Sequence, residues 1–128
     1  MTKIASPNLF KKLVEQEKQA LDFGFYWENA DQILEQIKSE CEEIKEAMLS
    51  QNNIHLKEEV GDLINAAISL CIFLNLDPAD TLEDSTDKFQ KRYDVLVSLV
   101  KNDGLNNLKG KSTDVLLNYW EKAKEVIK

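Results

Sequence analysis

Apolar residues recur every three or four positions along this chain of 128 residues, which is the spacing of residues on one face of an α-helix. Short polar breaks divide the pattern into five segments, and no segment shows the strict alternation of a β-strand. The pattern predicts an all-α protein, a bundle of four or five helices, in a single domain over residues 1–128. The predicted helices cover about residues 7–23, 30–49, 54–75, 78–101 and 113–127.

Polar residues and glycines mark the predicted helix ends. Ser, Asn and Asp side chains accept hydrogen bonds from the free backbone N–H groups at helix starts, and glycine adopts the left-handed conformation that ends many helices. Gly24 is therefore predicted to end the first helix. The predicted N-caps are Ser6 (followed by Pro7), Asn29 or Asp31, Asp77, and Ser112 or Thr113.

Two pairs of acidic residues, each three positions apart, lie in the second and third predicted helices. They are Glu40 with Glu43, and Glu59 with Asp62. Residues three apart are neighbours on a helix surface, so antiparallel packing of the two helices would bring four carboxylates into one site. Each pair adjoins a predicted apolar stripe. The stripes are Ile33, Ile37, Cys41, Ile44 and Met48 in the second helix, and Leu56, Val60, Leu63, Ala67, Leu70 and Leu74 in the third.

Carboxylates that face a core are costly unless they are paired, protonated or bound to a cation, and four of them together repel one another. A hard divalent cation with oxygen ligands relieves both costs, and Mg²⁺ or Mn²⁺ suits such a site. The alternative is a solvated acidic face, which is how we interpret the neighbouring Glu42, Glu46 and Glu58.

Three other features have two interpretations each. The aromatic loop that ends at Trp27 is either a hydrophobic plug at one end of the bundle or the wall of a pocket for a base or sugar. His55, the only histidine, is either a surface residue at a helix start or a contact to phosphate or to the carboxylates. Lys88 and Arg92 lie four apart on one helix face, where they either bind phosphate or form surface salt bridges.

Composition narrows the class of protein. The net charge of −7 and the pI near 4.8 argue against nonspecific binding to nucleic acid. The longest apolar run, from Leu63 to Leu76, contains polar residues and is shorter than the roughly 20 residues of a membrane span, so no membrane contact is expected. Cys41 and Cys71 lie on predicted apolar stripes, and two buried thiols favour a reducing compartment, the cytoplasm.

The acidic pairs resemble a family signature. Glu40-x-x-Glu43, fifteen residues, and then Glu59-x-x-Asp62 is similar to the signature of the MazG-type all-α nucleoside triphosphate pyrophosphohydrolases. Further segments extend the resemblance along nearly the whole chain. They are Phe23–Trp27 (a Gly-Phe-Asp-Trp loop in the family), Glu58–Leu63 (Glu-Glu-aliphatic-Gly-Asp-Leu), Asp87–Tyr93 (Asn-x-Lys-Phe-x-x-Arg-Phe) and Trp120–Lys124 (Trp-x-x-Ala-Lys).

The resemblance implies an enzyme that hydrolyses a nucleoside triphosphate to the monophosphate and pyrophosphate with Mg²⁺, with non-standard nucleotides among the candidate substrates. It implies that Glu40, Glu43, Glu59 and Asp62 hold the metal and act in catalysis. It also implies that Lys88 and Arg92 neutralise the phosphates, that Trp120 and Lys124 complete the substrate pocket, and that the chain forms a homodimer or homotetramer.

Two positions depart from the family pattern. Ser39 stands where the signature has its first Glu, and Asp87 stands where the family has Asn. The alternative function is therefore a catalytically weak nucleotide- or metal-binding regulatory module on the same fold, which would bind nucleotide tightly without turnover. A helical interaction protein without a metal site is the third hypothesis.

Overall fold

The computed structural model describes residues 8–128. It contains five helices in chain order: α1 (Leu9–Phe23), α2 (Ala30–Ser50), α3 (Asn53–Phe73), α4 (Pro78–Asn102) and α5 (Thr113–Val126). No strand occurs among the described residues, which confirms the predicted all-α fold. The predicted helix start at Ser6 and Pro7 lies outside them.

The local capping chemistry is as the sequence predicts. Gly24 adopts the left-handed conformation at φ 94° and donates its N–H to the last carbonyls of α1. Asn29 caps α2, because its side chain accepts a hydrogen bond from the backbone N–H of Gln32. The side chains of Asp77 and Ser112 accept the corresponding bonds at α4 and α5. Asn52, at the break between α2 and α3, caps α3 in the same way.

The chain divides into two compact units, one up to Thr81 and one from Leu82, so that the boundary falls within α4. In the first unit α2 and α3 pack along each other, and α1 packs on α3. In the second unit Val100, Tyr119 and Ala123 are buried. The hydroxyl of Tyr119 donates to Asp103, and this bond raises the pKa of the tyrosine.

The buried face of α2 differs from the predicted stripe. Cys41 and Met48 are exposed, and the fully buried positions are Ile33, Glu40 and Ala47, which recur every seven residues. Positions seven apart lie on one face of a helix, so the buried face of α2 is rotated toward Glu40 relative to the predicted stripe. The prediction of two buried thiols is therefore wrong for Cys41.

The predicted stripe of α3 is wrong in the same manner. Val60 and Ala67 are exposed, whereas Ala66 and Ser69 are buried. Almost every side of α3 between Leu63 and Leu74 carries apolar residues, so periodicity alone could not choose the face that packs on α1 and α2.

Of the helices in the described part of the chain, none is long and apolar enough by itself to cross a membrane. Only α3 and α4, considered together as one bent pair, reach the required length and composition.

The explanation of why α1 ends at Gly24 can be tested by substitution. Gly24→Ala should lower the free energy of unfolding by about 1–2 kcal/mol, because a Cβ disfavours the left-handed conformation at φ 94°. Gly24→Asn should lower it less, since asparagine tolerates this conformation. Urea unfolding of the three proteins measures both changes. Equal losses in the two variants would contradict the explanation.

Candidate metal centre

Three carboxylates from two helices converge in the first unit. Glu40 and Glu43 extend from α2 and Glu59 from α3, and one oxygen of each lies within 4.8 Å of the others. Glu40 is the most enclosed of the three, with only 6% of its surface exposed. The packing of α2 on α3, with the small residues Ala47 and Ala66 buried, thus gathers carboxylates that are 16 positions apart along the chain, from Glu43 to Glu59.

Two of the carboxylates are oriented by the residue four positions earlier on the same helix. The Nε2 atom of Gln36 donates to Glu40 Oε1 at 2.5 Å. On α3, Nε2 of His55 lies 3.6 Å from Glu59 Oε1, close enough to form an ion pair when the imidazole is protonated. Residues four apart face each other on a helix, so Gln36 holds Glu40 through Oε1, and a protonated His55 would hold Glu59 in the same way.

The second oxygens of these two glutamates are buried without compensation. Among the described residues, no hydrogen-bond donor reaches Glu40 Oε2 or Glu59 Oε2. A buried carboxylate oxygen without a partner is costly, and the third carboxylate, Glu43, adds repulsion. A hard divalent cation with carboxylate ligands would remove both costs, so this donor set fits such an ion.

Glu43 shows the electrostatic consequence of this crowding. Its pKa is raised above the usual 4.5, chiefly because a hydrogen bond shared with the Glu59 carboxyl favours the protonated form. The charge of Glu59, partial burial and the charge of Asp62 raise the pKa further, while hydrogen bonding with Glu40, which favours the ionised form of Glu43, lowers it. Without a cation, the cluster therefore retains a proton more readily than a solvated glutamate does.

Asp62, the fourth predicted ligand, lies outside this group of three. Its side chain is exposed, yet its charge still contributes to the raised pKa of Glu43. Asp62 thus borders the cluster. Ser39, which replaces an acidic residue of the family signature, is also exposed, and the three clustered carboxylates are present without it.

The part of the chain that contains the carboxylate cluster matches the model of a known domain. A family model described as the MazG nucleotide pyrophosphohydrolase domain matches residues 28–97, which is more than half of the chain. The chain belongs to the MazG family. The matched part of this MazG chain contains all four predicted metal ligands together with Lys88 and Arg92, whereas Trp27, Trp120 and Lys124 lie outside it.

Individual MazG relatives agree with the family match. A Thermotoga maritima protein named nucleoside triphosphate pyrophosphohydrolase/pyrophosphatase MazG is 37% identical over 108 residues, which cover 84% of this chain and 41% of that protein. An Escherichia coli protein named nucleoside triphosphate pyrophosphohydrolase is 24% identical over 112 residues, with the same coverage. The chain spans about two fifths of the length of these curated relatives.

The predicted cationic residues lie in the second unit. Arg92 donates through Nε to the carbonyl oxygen of Ile127 at 2.8 Å, and Lys124 forms an ion pair with Glu121 at 3.0 Å. Trp120 is half-buried, with its ring 5.5 Å from that of Phe89. Lys88 is exposed, as is Asp87, the second departure from the family pattern.

The aromatic loop forms the wall of a cavity. Phe25, Tyr26 and Trp27 line a space of about 720 Å³ between α1 and α3, and Phe25 and Tyr26 remain largely exposed. The ligand-pocket interpretation of this loop stays a prediction, and the position of the three aromatic residues at the cavity supports it. Sequence reasoning missed the polar pair in this cavity, Glu17 and Ser69, and also Gln36, whose four-residue spacing from Glu40 was a usable signal.

The raised pKa of Glu43 predicts a pH-dependent effect on stability without metal. Folding disfavours the ionised form, so wild-type protein loses stability as the pH rises through the raised pKa, and Glu43→Gln should unfold at a higher temperature near pH 8. The difference should vanish below pH 4.5, where Glu43 is protonated in both states. Thermal unfolding in a chelator measures it. Glu46→Gln, on the exposed side of α2, is the control and should show no such trend.

Proposed function

We propose that this MazG chain hydrolyses a nucleoside triphosphate to the monophosphate and pyrophosphate, with Mg²⁺ or Mn²⁺ held by Glu40, Glu43, Glu59 and Asp62. One observation carries the proposal. Two helices present buried carboxylate oxygens, on Glu40 and Glu59, that have no donor among the described residues. The family match and the names of the relatives give the reaction class.

The roles of the side chains follow from their environments. When bound, the cation would supply positive charge for the phosphates and lower the pKa of a bound water. Gln36 holds one oxygen of Glu40, and His55 lies beside one oxygen of Glu59, so we assign these two carboxylates to the cation as ligands. Glu43 is the least enclosed of the three clustered carboxylates, so we assign it the role of accepting the proton of the attacking water at a carboxylate oxygen.

Residues of the second unit are proposed to bind the substrate on the strength of the family resemblance. Lys88 and Arg92 would neutralise phosphates, since a polyphosphate needs its charge spread over cationic groups as the transition state forms. The bond from Arg92 to Ile127 uses only Nε, so the terminal nitrogens of the guanidinium are not engaged by it. Trp120 and Lys124 would complete the pocket.

We also propose that the chain self-associates and works in the cytoplasm. On α3, Val60 and Ile64 are 39% and 57% exposed, and beyond the adjoining backbone of α3 itself a Cβ at Gly61 would meet no atom of the described residues within 4 Å. An exposed apolar helix face with a glycine suits close packing of a second copy.

Cys41 and Cys71 are both free thiols, which supports a reducing compartment. The acidic net charge supports a role without nucleic acid.

The first test is pyrophosphate release from a panel of nucleoside triphosphates, with and without Mg²⁺. Glu59→Gln should lower the metal-dependent rate by more than about 100-fold, because it removes one buried anionic ligand. The control is Glu58→Gln, an exposed neighbour that should retain activity. Tight nucleotide binding without any release by the wild-type protein would refute the enzyme and favour the regulatory module.

The exposed face of α3 gives a test of self-association. Ile64→Ser should change the stability of a single chain by no more than about 0.5 kcal/mol, since the side chain is exposed, but it should weaken an assembly that buries this face. Light scattering after size-exclusion chromatography measures the mass over a range of concentrations. Leu117→Ser on α5, which is 54% exposed, is the control. An unchanged oligomer in Ile64→Ser would exclude this face.

A further inference from the structure

The cavity between α1 and α3 contains a built polar site. Its volume of about 720 Å³ is that of a small-molecule pocket, and its wall is mostly apolar and aromatic. At α3, Ser69 is 7% exposed and donates its hydroxyl to Glu17 Oε1 at 2.5 Å, across the two helices. Nothing in the metal centre requires this pair.

The pair places a carboxylate acceptor at the wall of the cavity, which Lys18 also lines. A carboxylate has about four acceptor positions, and the bond from Ser69 occupies one of them. Glu17 therefore keeps acceptor capacity at the lining of a pocket whose other surfaces include the rings of Tyr26 and Trp27. The complementary ligand is a flat ring that stacks on aromatic side chains and presents N–H donors at its edge.

Among the nucleobases, guanine meets this description best. Its N1–H and 2-amino groups are adjacent donors that can engage one carboxylate with two parallel hydrogen bonds, as the fork of an arginine does. Adenine and cytosine offer one amino group. Uracil and thymine present two carbonyl oxygens on either side of a single N–H, and a carboxylate repels these oxygens.

The cavity is also aligned with the metal centre. Asp62, Asn65 and Ser69 are spaced three and four apart on α3 and therefore share one face of that helix. The clustered carboxylate of α3 is that of Glu59, ten positions before Ser69, which corresponds to a rise of roughly 15 Å at about 1.5 Å per residue. The sugar and phosphate chain of a nucleotide can bridge such a distance, with the base at Ser69 and the phosphates at the carboxylate cluster.

We propose that Glu17, oriented by Ser69, makes this cavity a nucleobase site that selects bases with a donor edge, with guanine preferred and uracil disfavoured. This inference rests on the proposed function, because it takes the ligand of the cavity to be the nucleotide that the metal centre hydrolyses.

The binding test uses nucleoside monophosphates, which the proposed reaction cannot consume. In calorimetry with Mg²⁺ present, GMP should bind wild-type protein about 10- to 100-fold more tightly than UMP, from the loss of one or two hydrogen bonds to a charged acceptor. IMP, which lacks the 2-amino group, should fall between them. This series needs no variant, and equal affinities for the three would overturn the proposal.

Variants then assign the selectivity to Glu17. Glu17→Gln should reduce the ratio of GMP to UMP affinity to below about threefold, because the amide offers one acceptor and adds a donor. Ser69→Ala should reduce the ratio partially. Glu15→Gln, an exposed charge change on the same helix, should leave the ratio unchanged. If Glu17→Gln weakens all three ligands equally, the pair is only a structural link between α1 and α3, and the proposal fails.

Turnover separates this proposal from the proposed function. If GTP, ITP and UTP are hydrolysed with equal kcat/KM, the pyrophosphohydrolase stands and the selectivity of Glu17 is refuted. If no triphosphate is hydrolysed but GMP binding still depends on Glu17, the base site stands and the enzyme is refuted. A preference for GTP that Glu17→Gln removes supports both.

Discussion

Two carboxylate oxygens, on Glu40 and Glu59, lie buried between α2 and α3 without a donor among the described residues, while a third carboxylate stands beside them. In most proteins this arrangement would be destabilising, since burial disfavours the charged form and like charges disfavour it further. The raised pKa of Glu43 is the part of that cost visible in the structure. A cation would turn the same arrangement into a stabilising one, so the packing of α2 on α3 and the occupancy of the site are energetically coupled.

The helices are built to impose this arrangement. The break between α2 and α3 is short, with Gln51 in a left-handed conformation and Asn52 as the next cap, so the two helices pack against each other along their lengths. Gln36 orients Glu40 from one turn earlier, and His55 lies in the corresponding position beside Glu59. Glu40 is buried and bonded to Gln36, so it has little room to move away from the other carboxylates, and protonation or metal binding would relieve their repulsion.

How well the sequence predicts each of these features depends on how far apart along the chain the interacting residues lie. Gly24, Asn29 and Ser112 act through their own backbone neighbourhood, so their chemistry could be read from a few adjacent residues. The pairing of Glu40 with Glu59 was also accessible, because helical spacing and a short break suffice. The face of α2 that is buried could not be predicted in this way. A periodicity argument ranks Cys41 above Glu40 for burial on hydrophobicity alone, and the structure reverses that order because Glu40 faces the cluster. The hydrogen bond between Glu17 and Ser69 joins residues 52 positions apart, so no local sequence pattern predicts it.

The helix α3 contributes to the metal centre, to the cavity and to the packing of the helices, and its composition reflects these three roles. One face carries Glu59, Asp62 and Ser69 toward the metal centre and the cavity, and the buried Ala66, seven positions after Glu59, lies on that same face. The opposite face carries Val60 and Ile64, which the described chain leaves exposed. A helix that is apolar on nearly all sides is stable in water only when it is covered on all of them. Since α1 and α2 cover only part of α3, the remaining apolar face supports a second copy as its cover. Such a copy would pack on the side of α3 opposite the carboxylates, where it could stiffen the helix that holds Glu59 and Asp62 without obstructing the site.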